Sequence, residues 1–257
     1  MTDLFSCSEF DIFEGMTSIS AVINSIREGI SDRRIIKIIY DRSRASAKAR
    51  ELKFLKAVSG ELGFSLEDVS ADDISSLVSG ETHGGIVAIC TKTTTPPLSD
   101  DFIEGGDFFV LLQGIEDPYN FGYCIRSLYA AGVDGIILPE RNWLEYSGVV
   151  AKSSAGTSEL SNVRSCEPVE AIKVFKNKGF EVVCAEIKNS VSIYEHDFNK
   201  PVLLVLGGEK RGLSRSVLDL ADANVRIDYG RKFMGSLPSA AAISVISFEI
   251  AHQKGRL

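Results

Sequence analysis

Residues 201–242 decide the fold, and they read PVLLVLGGEKRGLSRSVLDLADANVRIDYGRKFMGSLPSAAA. Five β-favouring apolar residues, 202–206, end at a glycine pair, which predicts a buried strand that runs into a loop. A short helix with Ser214 as its N-cap, a strand over 225–227 and a last helix over 239–253 are expected to follow. Ligands of open α/β sheets bind at the loops that follow such strands, so we expect a binding site in this stretch.

Two glycine-rich phosphate-binding motifs can be tested on the loop after this strand. A dinucleotide fingerprint needs glycine at positions 207, 209 and 212, but residue 209 is Glu. A P-loop needs a lysine directly after its second glycine, and Leu213 stands there instead. A carboxylate in a glycine loop also repels phosphate, so we expect the loop to bind a ligand other than a phosphate chain.

The composition is that of a globular chain with one large or two modest domains. The 257 residues are 44% hydrophobic, which is enough apolar content to bury a core. Early acidic residues argue against a signal peptide, and no apolar run approaches the roughly 20 residues that span a bilayer. The five cysteines and three histidines are scattered without metal-ligand spacing. We therefore expect a cytoplasmic protein with reduced cysteines, no metal and no membrane contact.

The net charge of −7 argues mildly against a nucleic-acid partner, but the charge is unevenly distributed. Residues 33–56 contain nine basic side chains and two acidic ones. The basic residues are Arg33, Arg34, Lys37, Arg42, Arg44, Lys48, Arg50, Lys53 and Lys56. Two interpretations stay open for this segment: a solvated helix face, or a patch that contacts phosphate groups.

The first part of the chain, to about residue 92, is predicted to form a small α/β/α sandwich. The expected elements are a helix within 13–30 that follows a turn at Gly15, a strand over 35–40, a basic amphipathic helix over 46–59, a strand over 64–69, a helix over 72–78 and a strand over 86–90. Threonine, proline and glycine then predominate over 91–107, which marks a linker. We place the domain boundary near residue 98.

The second part alternates predicted strands and helices, which is typical of a mostly parallel sheet covered on both faces. The expected strands cover 108–112, 135–138 and 180–184, and the expected helices cover 120–131, 144–152 and 169–176. The fold class is therefore α/β.

Three stretches of the second domain stand in order along the chain. They are Asp117-Pro-Tyr-Asn-Phe-Gly-Tyr-Cys-Ile-Arg126, Leu206-Gly-Gly-Glu-Lys-Arg-Gly-Leu-Ser214, and the segment from Ile227 through Ser236-Leu237 into the alanine-rich helix. Together they resemble the three motifs of the SpoU/TrmH family of RNA 2'-O-ribose methyltransferases, in the SPOUT class, over about residues 108–254. The end of the first domain, His83-Gly-Gly-Ile-Val-Ala88, resembles less closely the ribosomal-protein-like substrate-binding domain that is often fused ahead of this core.

The resemblance implies a fold, a cofactor and a division of labour between the domains. The family's C-terminal segment threads a loop to form a deep trefoil knot that holds S-adenosyl-L-methionine, an exception to the usual connection rules. Residues 1–97 would bind the RNA substrate, and residues 98–257 would form the methyltransferase domain. The residues expected to contact the cofactor are Leu206, Gly207, Gly208, Ile227 and Leu237. A neutral backbone pocket suits a cofactor without phosphates.

The implied reaction transfers the sulfonium methyl group to a ribose 2'-hydroxyl, which must be aligned and deprotonated. The catalytic residues implied by the motifs are Arg126, Asn120, Glu209 and Ser236. A guanidinium group is a poor base, so we expect Arg126 to clamp phosphate and stabilise the developing alkoxide. Asn120 and Glu209 are expected to position the hydroxyl and the loops, and Ser236 to make a polar contact near the cofactor. The residues expected to contact RNA are Arg33, Arg42, Arg44 and Lys48.

Each catalytic residue also has a purely structural interpretation. Asn120 fits a helix N-cap, Arg126 a surface arginine or an ion-paired one, and Glu209 an acceptor for loop amides. Pro238 departs from the Ser-Leu-Asn that family members often have, because proline lacks both the amide side chain and the backbone donor. It suits the start of a helix, however, and the other motif residues are retained, so we favour an active subfamily.

The sequence thus predicts methylation of a ribose 2'-hydroxyl in RNA, with ribosomal RNA favoured over transfer RNA. One alternative is a knotted RNA-binding protein with weakened or lost catalysis, which an absence of cofactor binding would favour. Another is a different α/β nucleotide enzyme, which the failed glycine motifs disfavour. The resemblance also implies a homodimer that forms through the methyltransferase domain.

Overall fold

The chain forms two units, each with dense internal contacts. The computed structural model describes residues 10–78, 83–139, 146–208 and 210–257. The first unit contains the described residues up to Thr94 and those within 142–160, and the second unit contains the rest. The segment 146–160 therefore packs with the first unit, although it lies beyond residue 98 in the sequence.

The strands and helices follow the order of the chain. The strands are β1 Phe10–Glu14, β2 Ile35–Asp41, β3 Ser65–Val69, β4 Ile86–Thr91, β5 Phe108–Gln113, β6 Gly135–Leu138, β7 Val163–Ser165, β8 Glu181–Ala185, β9 Val191–Ser192, β10 Val202–Gly207 and β11 Ala223–Arg226. The helices are α1 Gly15–Arg27, α2 Ala49–Leu62, α3 Ala71–Leu77, α4 Asp100–Ile103, α5 Pro118–Ala130, α6 Ser147–Ser153, α7 Thr157–Leu160, α8 Pro168–Asn177, α9 Arg215–Leu218 and α10 Ser239–Gln253, with a 3-10 turn at Arg42–Arg44.

The first unit is built on a mixed sheet with the strand order β1-β4-β2-β3. Apolar residues of α1 and α2, such as Ile19 and Leu55, pack on one face of this sheet, and Ile74 of α3 packs on the other. The helix α6 belongs to the same core, because Ala151 is fully buried in the cluster that contains Ile19 and Leu55. A segment from far along the sequence thus completes the core of the first unit.

The helix predicted after the turn at Gly15 is confirmed, but the strand that precedes it was not predicted. Residues 10–14 form β1, which pairs antiparallel with β4, and the helix begins only at Gly15 and ends at Arg27. Gly15 adopts φ +75°, a conformation that is open to glycine and marks the junction between strand and helix. The pairing with β4, more than 70 residues away in sequence, is a tertiary contact that a local pattern does not contain.

The second unit is built on a parallel sheet with the strand order β7-β6-β5-β10-β8-β11-β9. The predicted α/β class with a mostly parallel sheet is confirmed. One face is covered by α4, α8 and α9, where Phe109, Phe175 and Val217 share a buried cluster. The helices α5 and α10 contact each other, and α10 also contacts β10. Because all these strands are parallel, their carboxyl ends meet at one edge of the sheet.

The last residues of the chain are fixed at the opposite edge of this sheet. Arg256 donates hydrogen bonds to the carboxylates of Asp107 and Asp134 and to the carbonyl oxygen of Gly132. Lys254 pairs with Asp107 at 2.9 Å. Although burial acts in the opposite direction, the hydrogen bonds from Arg256 and from backbone amides lower the pKa of Asp134. These contacts hold the end of α10 beside the start of β5.

Within the described residues, no helix has the length and the apolar content needed to cross a membrane. The same residues contain no group of three or more His, Cys, Asp or Glu side chains placed to hold a metal ion.

Candidate functional site

A cavity of about 240 Å³ lies at the carboxyl ends of β8, β10 and β11 in the second unit. Six residues that the sequence analysis singled out line it. They are Leu206, Gly207, Gly208, Ile227, Ser236 and Leu237. The second and third motifs, which are separate in sequence, therefore meet at the edge of the sheet where the sequence predicted a ligand site.

The glycine pair at the end of β10 is required by close backbone packing. A Cβ atom on Gly208 would lie 1.8 Å from the carbonyl oxygen of Gly114, and one on Gly207 would lie 2.4 Å from the carbonyl carbon of Gly212. The amide of Gly208 donates to Gln113 at 2.7 Å, and the amide of Gly212 donates to Gly208 at 3.0 Å. The loops after β5 and β10 are thus in direct backbone contact. Glu209, the predicted catalytic residue of this loop, lies outside the described residues.

Side chains at the end of β5 and in the loop after it contact the loop of the second motif. Gln113 accepts a hydrogen bond from the amide of Ser214 at 3.2 Å, and its amide group donates to the hydroxyl of Ser214 at 3.4 Å. Lys210 pairs with Glu116 at 2.8 Å. Ser214 is the N-cap of α9, as predicted, although its side chain makes no capping hydrogen bond. The loop of the second motif is therefore held from both of its ends by the loop after β5.

The third motif closes the cavity with an ordered loop. The hydroxyl of Tyr229 accepts a hydrogen bond from the amide of Leu237 at 3.3 Å, and the Tyr229 ring packs edge to face on Phe233. Pro238 is the N-cap of α10, and its carbonyl oxygen accepts the amides of Ala241 and Ala242. Proline is therefore accommodated at the start of the last helix, where it occupies the N-cap position and Ser239 is the first helical residue.

Sequence analysis missed the loop after β8, which supplies another wall of the cavity. Ala185, Glu186 and Ile187 line the cavity, and the Glu186 carboxylate accepts the amides of Ile187 and Lys188. A signal was present, because this loop follows a predicted strand and must reach the same edge of a parallel sheet. Its residues match no motif, so nothing in the sequence distinguished this loop from the others.

The charged groups at the cavity are satisfied locally. Arg226 donates to Asp228 at 2.9 Å and also to the carbonyl oxygen of Ser190. The hydrogen bond from Ser192, together with Arg226, lowers the pKa of Asp228. The cavity walls next to the glycine pair consist of backbone and apolar side chains, which is a neutral environment.

The first motif forms the start of α5, outside the cavity lining. Asp117 is the N-cap, because its carboxylate accepts the amide of Asn120 at 2.8 Å, and Pro118 occupies the first turn. The alternative interpretation of Asn120 as the N-cap is therefore wrong. Arg126 lies further along α5, is exposed, and makes no ion pair with any residue of the described ranges. The alternative that Arg126 is an ion-paired arginine finds no partner there.

One of the four residues predicted to contact RNA is in the interior of the first unit. Arg33 is only 2% exposed, donates to the carboxylates of Asp11 and Glu159, and lies over the ring of Phe13. Its Nε–Glu159 distance is 3.0 Å. The prediction that Arg33 contacts RNA is therefore corrected: a buried, doubly paired guanidinium is not accessible to a phosphate group.

The other three predicted RNA contacts are on the surface and are paired with carboxylates. Arg42 donates to Asp68, Arg44 lies 3.3 Å from Asp41, and Lys48 lies 3.0 Å from Glu51. The hydrogen bond from Lys48 lowers the pKa of Glu51. Their positive charge is thus largely neutralised by their neighbours.

Comparison with known proteins identifies the family of this chain. The family model described as the SpoU rRNA Methylase family matches residues 107–248, which include all three motifs. The chain belongs to the SpoU methylase family. It is an RNA methyltransferase of the SpoU/TrmH type, as the motifs indicated, and the cofactor of this family is S-adenosyl-L-methionine.

Similar proteins of this family cover most of the chain. A protein named as a putative TrmH family tRNA/rRNA methyltransferase from Staphylococcus haemolyticus is 33% identical over 183 residues, which are 67% of this chain and 73% of that protein. The 23S rRNA (guanosine-2'-O-)-methyltransferase RlmB from Burkholderia sp is 27% identical over 222 residues, 85% of this chain and 88% of that protein.

A solved structure supports the fold along nearly the whole chain. The AdoMet-bound rRNA methyltransferase from Sinorhizobium meliloti superposes with a TM-score of 0.78 and covers 95% of this chain and 88% of its own. Since the two sequences are 24% identical, this likeness describes the family fold.

Proposed function

We propose that this protein methylates a ribose 2'-hydroxyl in RNA, with S-adenosyl-L-methionine as the methyl donor and ribosomal RNA as the substrate. The observation that supports the proposal best is the single cavity that gathers residues of the second and third motifs. The similarity to a guanosine-2'-O-methyltransferase of 23S rRNA points to the same reaction and substrate class.

The residues around the cavity fit this cofactor. A volume of about 240 Å³ is close to the lower end of small-molecule sites, roughly 300 Å³. Backbone groups of Leu206, Gly207 and Leu237 offer hydrogen-bonding partners without a concentrated positive charge, which suits a nucleoside that carries no phosphate. When bound, the cofactor supplies an electrophilic methyl group. We propose that Ile227 and Gly208 complete its contacts.

The protein's own task is to align the hydroxyl and to stabilise its negative charge as the proton leaves. We propose that Arg126 stabilises this negative charge. Arg126 is exposed and makes no ion pair with a described residue, so its guanidinium group has donors available for RNA oxygens. Asn120 on the first turn of α5, Glu209 and Ser236 are proposed to position the hydroxyl and the surrounding loops. Ser236 is exposed at the cavity.

Arg126→Ala is expected to lower the methylation rate about 100- to 1000-fold, the usual cost of removing one oxyanion donor. Affinity for the cofactor should remain within about twofold of wild type, because Arg126 does not line the cavity. Tritium transfer from labelled cofactor to ribosomal RNA, with calorimetry of cofactor binding, measures the two effects separately. Arg215→Ala is the matched control, since Arg215 is also exposed but pairs with Asp219 at 2.8 Å.

The outcome of these measurements separates the alternatives. No cofactor binding by the wild-type protein, with or without RNA, would favour an RNA-binding protein that has lost catalysis. Cofactor binding with transfer to a base instead of ribose, detected by nuclease digestion and mass spectrometry, would refute the ribose assignment.

We also infer that the C-terminal segment forms a trefoil knot. The inference is supported by the strand order, in which β10 lies between β5 and β8, and by the return of α10 to contact α5 and β10.

We further propose that the protein is a homodimer that forms through the methyltransferase domain. In this domain, α5 and α10 expose Tyr119, Tyr123 and Phe248, which are 40–52% exposed, and this shared apolar surface supports a homodimer. Sedimentation equilibrium should give twice the chain mass of 28.0 kDa. A monomer at micromolar concentration would refute the dimer.

A further inference from the structure

The basic residues of segment 33–56 differ in whether a carboxylate pairs with them in the structure. Arg33 is buried with two carboxylates, and Arg42, Arg44 and Lys48 are each paired with an acidic neighbour. The cations of α2 differ from these. Arg50, Lys53 and Lys56 are exposed and have no ion pair within 4 Å to any residue in the described part of the chain.

The helix geometry places these three cations in one row. Arg50, Lys53 and Lys56 are spaced by three residues, so that successive Cβ atoms lie about 5–6 Å apart on the helix surface. The opposite side of α2 carries Leu55 and Val58, which are buried in the core of the first unit. The row therefore faces solvent along a helix whose orientation is fixed by its packing.

The acidic residues of α2 do not cancel this charge. Glu51 pairs with Lys48 at 3.0 Å, and Glu61 pairs with Arg27 through two hydrogen bonds. Both carboxylates are thus already occupied, and the three cations of the row remain uncompensated by ion pairs. In a chain with a net charge of −7, such a row is suited to an anionic polymer.

An aromatic ring accompanies the row. Phe54 is 40% exposed and lies one turn after Arg50, so the ring and the guanidinium are neighbours on the helix. Phosphate groups bind cations, and unpaired bases stack on exposed aromatic rings. Phe54 is therefore next to Arg50, whereas Lys53 and Lys56, one and two positions from it, point to other sides of the helix. Arg50 and Phe54 together, at one end of the row, can bind a phosphate group and stack on a neighbouring unpaired base.

We propose that the exposed row of Arg50, Lys53 and Lys56 on α2, with Phe54 beside Arg50, binds the RNA substrate at a segment that contains unpaired nucleotides. The occupant is RNA because the proposal rests on the proposed function, in which the substrate is RNA. The row contacts successive phosphates, and Phe54 stacks on one base. The paired cations Arg42, Arg44 and Lys48 contribute little, because their carboxylate partners would have to be released first.

The test compares two triple variants that change the net charge by the same amount. Arg50→Gln/Lys53→Gln/Lys56→Gln removes the row, and Arg42→Gln/Arg44→Gln/Lys48→Gln removes the paired cations. Binding to fluorescein-labelled ribosomal RNA fragments is followed by anisotropy over a series of salt concentrations. Thermal unfolding shows that the first unit of each variant is folded, and calorimetry of cofactor binding shows the same for the methyltransferase domain.

The row variant is expected to lose at least about tenfold in RNA affinity, and its salt dependence should fall by about 2 in the log–log slope, for three single-strand phosphates. The variant of the paired cations should stay within about threefold of wild type. Phe54→Ala should lose about tenfold with an unchanged slope, because stacking carries no counterion release. Phe54→Tyr should retain the affinity.

Equal losses in the two triple variants would overturn the proposal, because charge alone would then explain binding. Unchanged affinity in the row variant would overturn it while leaving the proposed function intact. A wild-type protein that binds the cofactor but no RNA would refute both. Row-dependent binding to anionic phospholipid vesicles, without RNA binding, would assign the face to a membrane surface instead.

Discussion

Gly208→Ala is expected to abolish binding of S-adenosyl-L-methionine and to lower the thermal stability of the protein. The added methyl carbon would lie 1.8 Å from the carbonyl oxygen of Gly114 and 2.9 Å from the amide of Ile115. Both contacts involve backbone atoms, so no side chain can rotate away, and the loops after β5 and β10 must separate. Calorimetric titration of the cofactor and a thermal melt measure the two effects.

Gly230→Ala is the matched control for this substitution. Gly230 belongs to the loop of the third motif, but nothing lies within 4 Å of the position of its added Cβ, and its φ is not positive. Its cofactor affinity and melting temperature should equal those of the wild type. If Gly208→Ala bound the cofactor as tightly as Gly230→Ala, the contact between the two loops would not shape the cavity.

Arg33→Met is expected to destabilise the first unit by about 3–5 kcal/mol, as when one partner of a buried ion pair is removed. Methionine keeps much of the volume, but it leaves the buried carboxylates of Asp11 and Glu159 without their cation. Denaturant unfolding, followed by the fluorescence of the first unit, measures the loss in the free energy of unfolding. Arg27→Met, which removes an exposed pair with Glu61, should change stability little.

The loss of stability caused by Arg33→Met should be smaller at acidic pH than at neutral pH. Burial raises the pKa of Glu159 above its ordinary value. The native state therefore takes up this proton at a higher pH than the unfolded state, so the cost of the unpaired carboxylate grows as pH rises through the native pKa. Unfolding at pH 4.5 and pH 7 should show the smaller deficit at the lower pH. A deficit that does not change with pH would refute the role of the carboxylates.

The same network predicts that residues 1–97 do not fold as a separate domain. Such a fragment lacks Glu159, and it also lacks Ala151, which completes the buried cluster around Ile19. The triple variant Arg33→Met/Asp11→Asn/Glu159→Gln should recover part of the stability that Arg33→Met loses, because it leaves no buried charge. A cooperatively folded 1–97 fragment would contradict this account.

The long apolar strands of both units were predictable from the sequence. The strand predicted over 135–138 matches β6, and those over 35–40, 108–112 and 202–206 match β2, β5 and β10 to within one residue at either end. The strands β5, β6 and β10 are almost entirely buried, so their apolar runs are continuous and bounded by glycine or polar residues, whereas β2 is recognised by its β-branched residues. Short elements such as α4, α7 and β7 were missed, because three or four residues carry too little pattern.

The cavity proposed to bind the cofactor was partly predictable for a related reason. Leu206 and Gly207 end β10, and Ile227 follows β11, and the parallel arrangement brings the ends of such strands to one edge. The motifs added Ser236 and Leu237 through their resemblance to a family. The wall formed by Glu186 and Ile187 was not predicted, because it depends on β8 lying between β10 and β11.

The sequence by itself determined the α/β class, the family and the motif residues, because strand-length apolar runs and glycine loops are local properties of the chain. Only the tertiary structure decided which cations of residues 33–56 are accessible. The partners of Arg33 are 22 and 126 residues away from it in sequence. Burial and ion pairing depend on such long-range neighbours, so basic residues that look alike in sequence divide into the buried Arg33, surface cations paired with carboxylates, and exposed cations without an ion pair to a described residue, which include the row on α2.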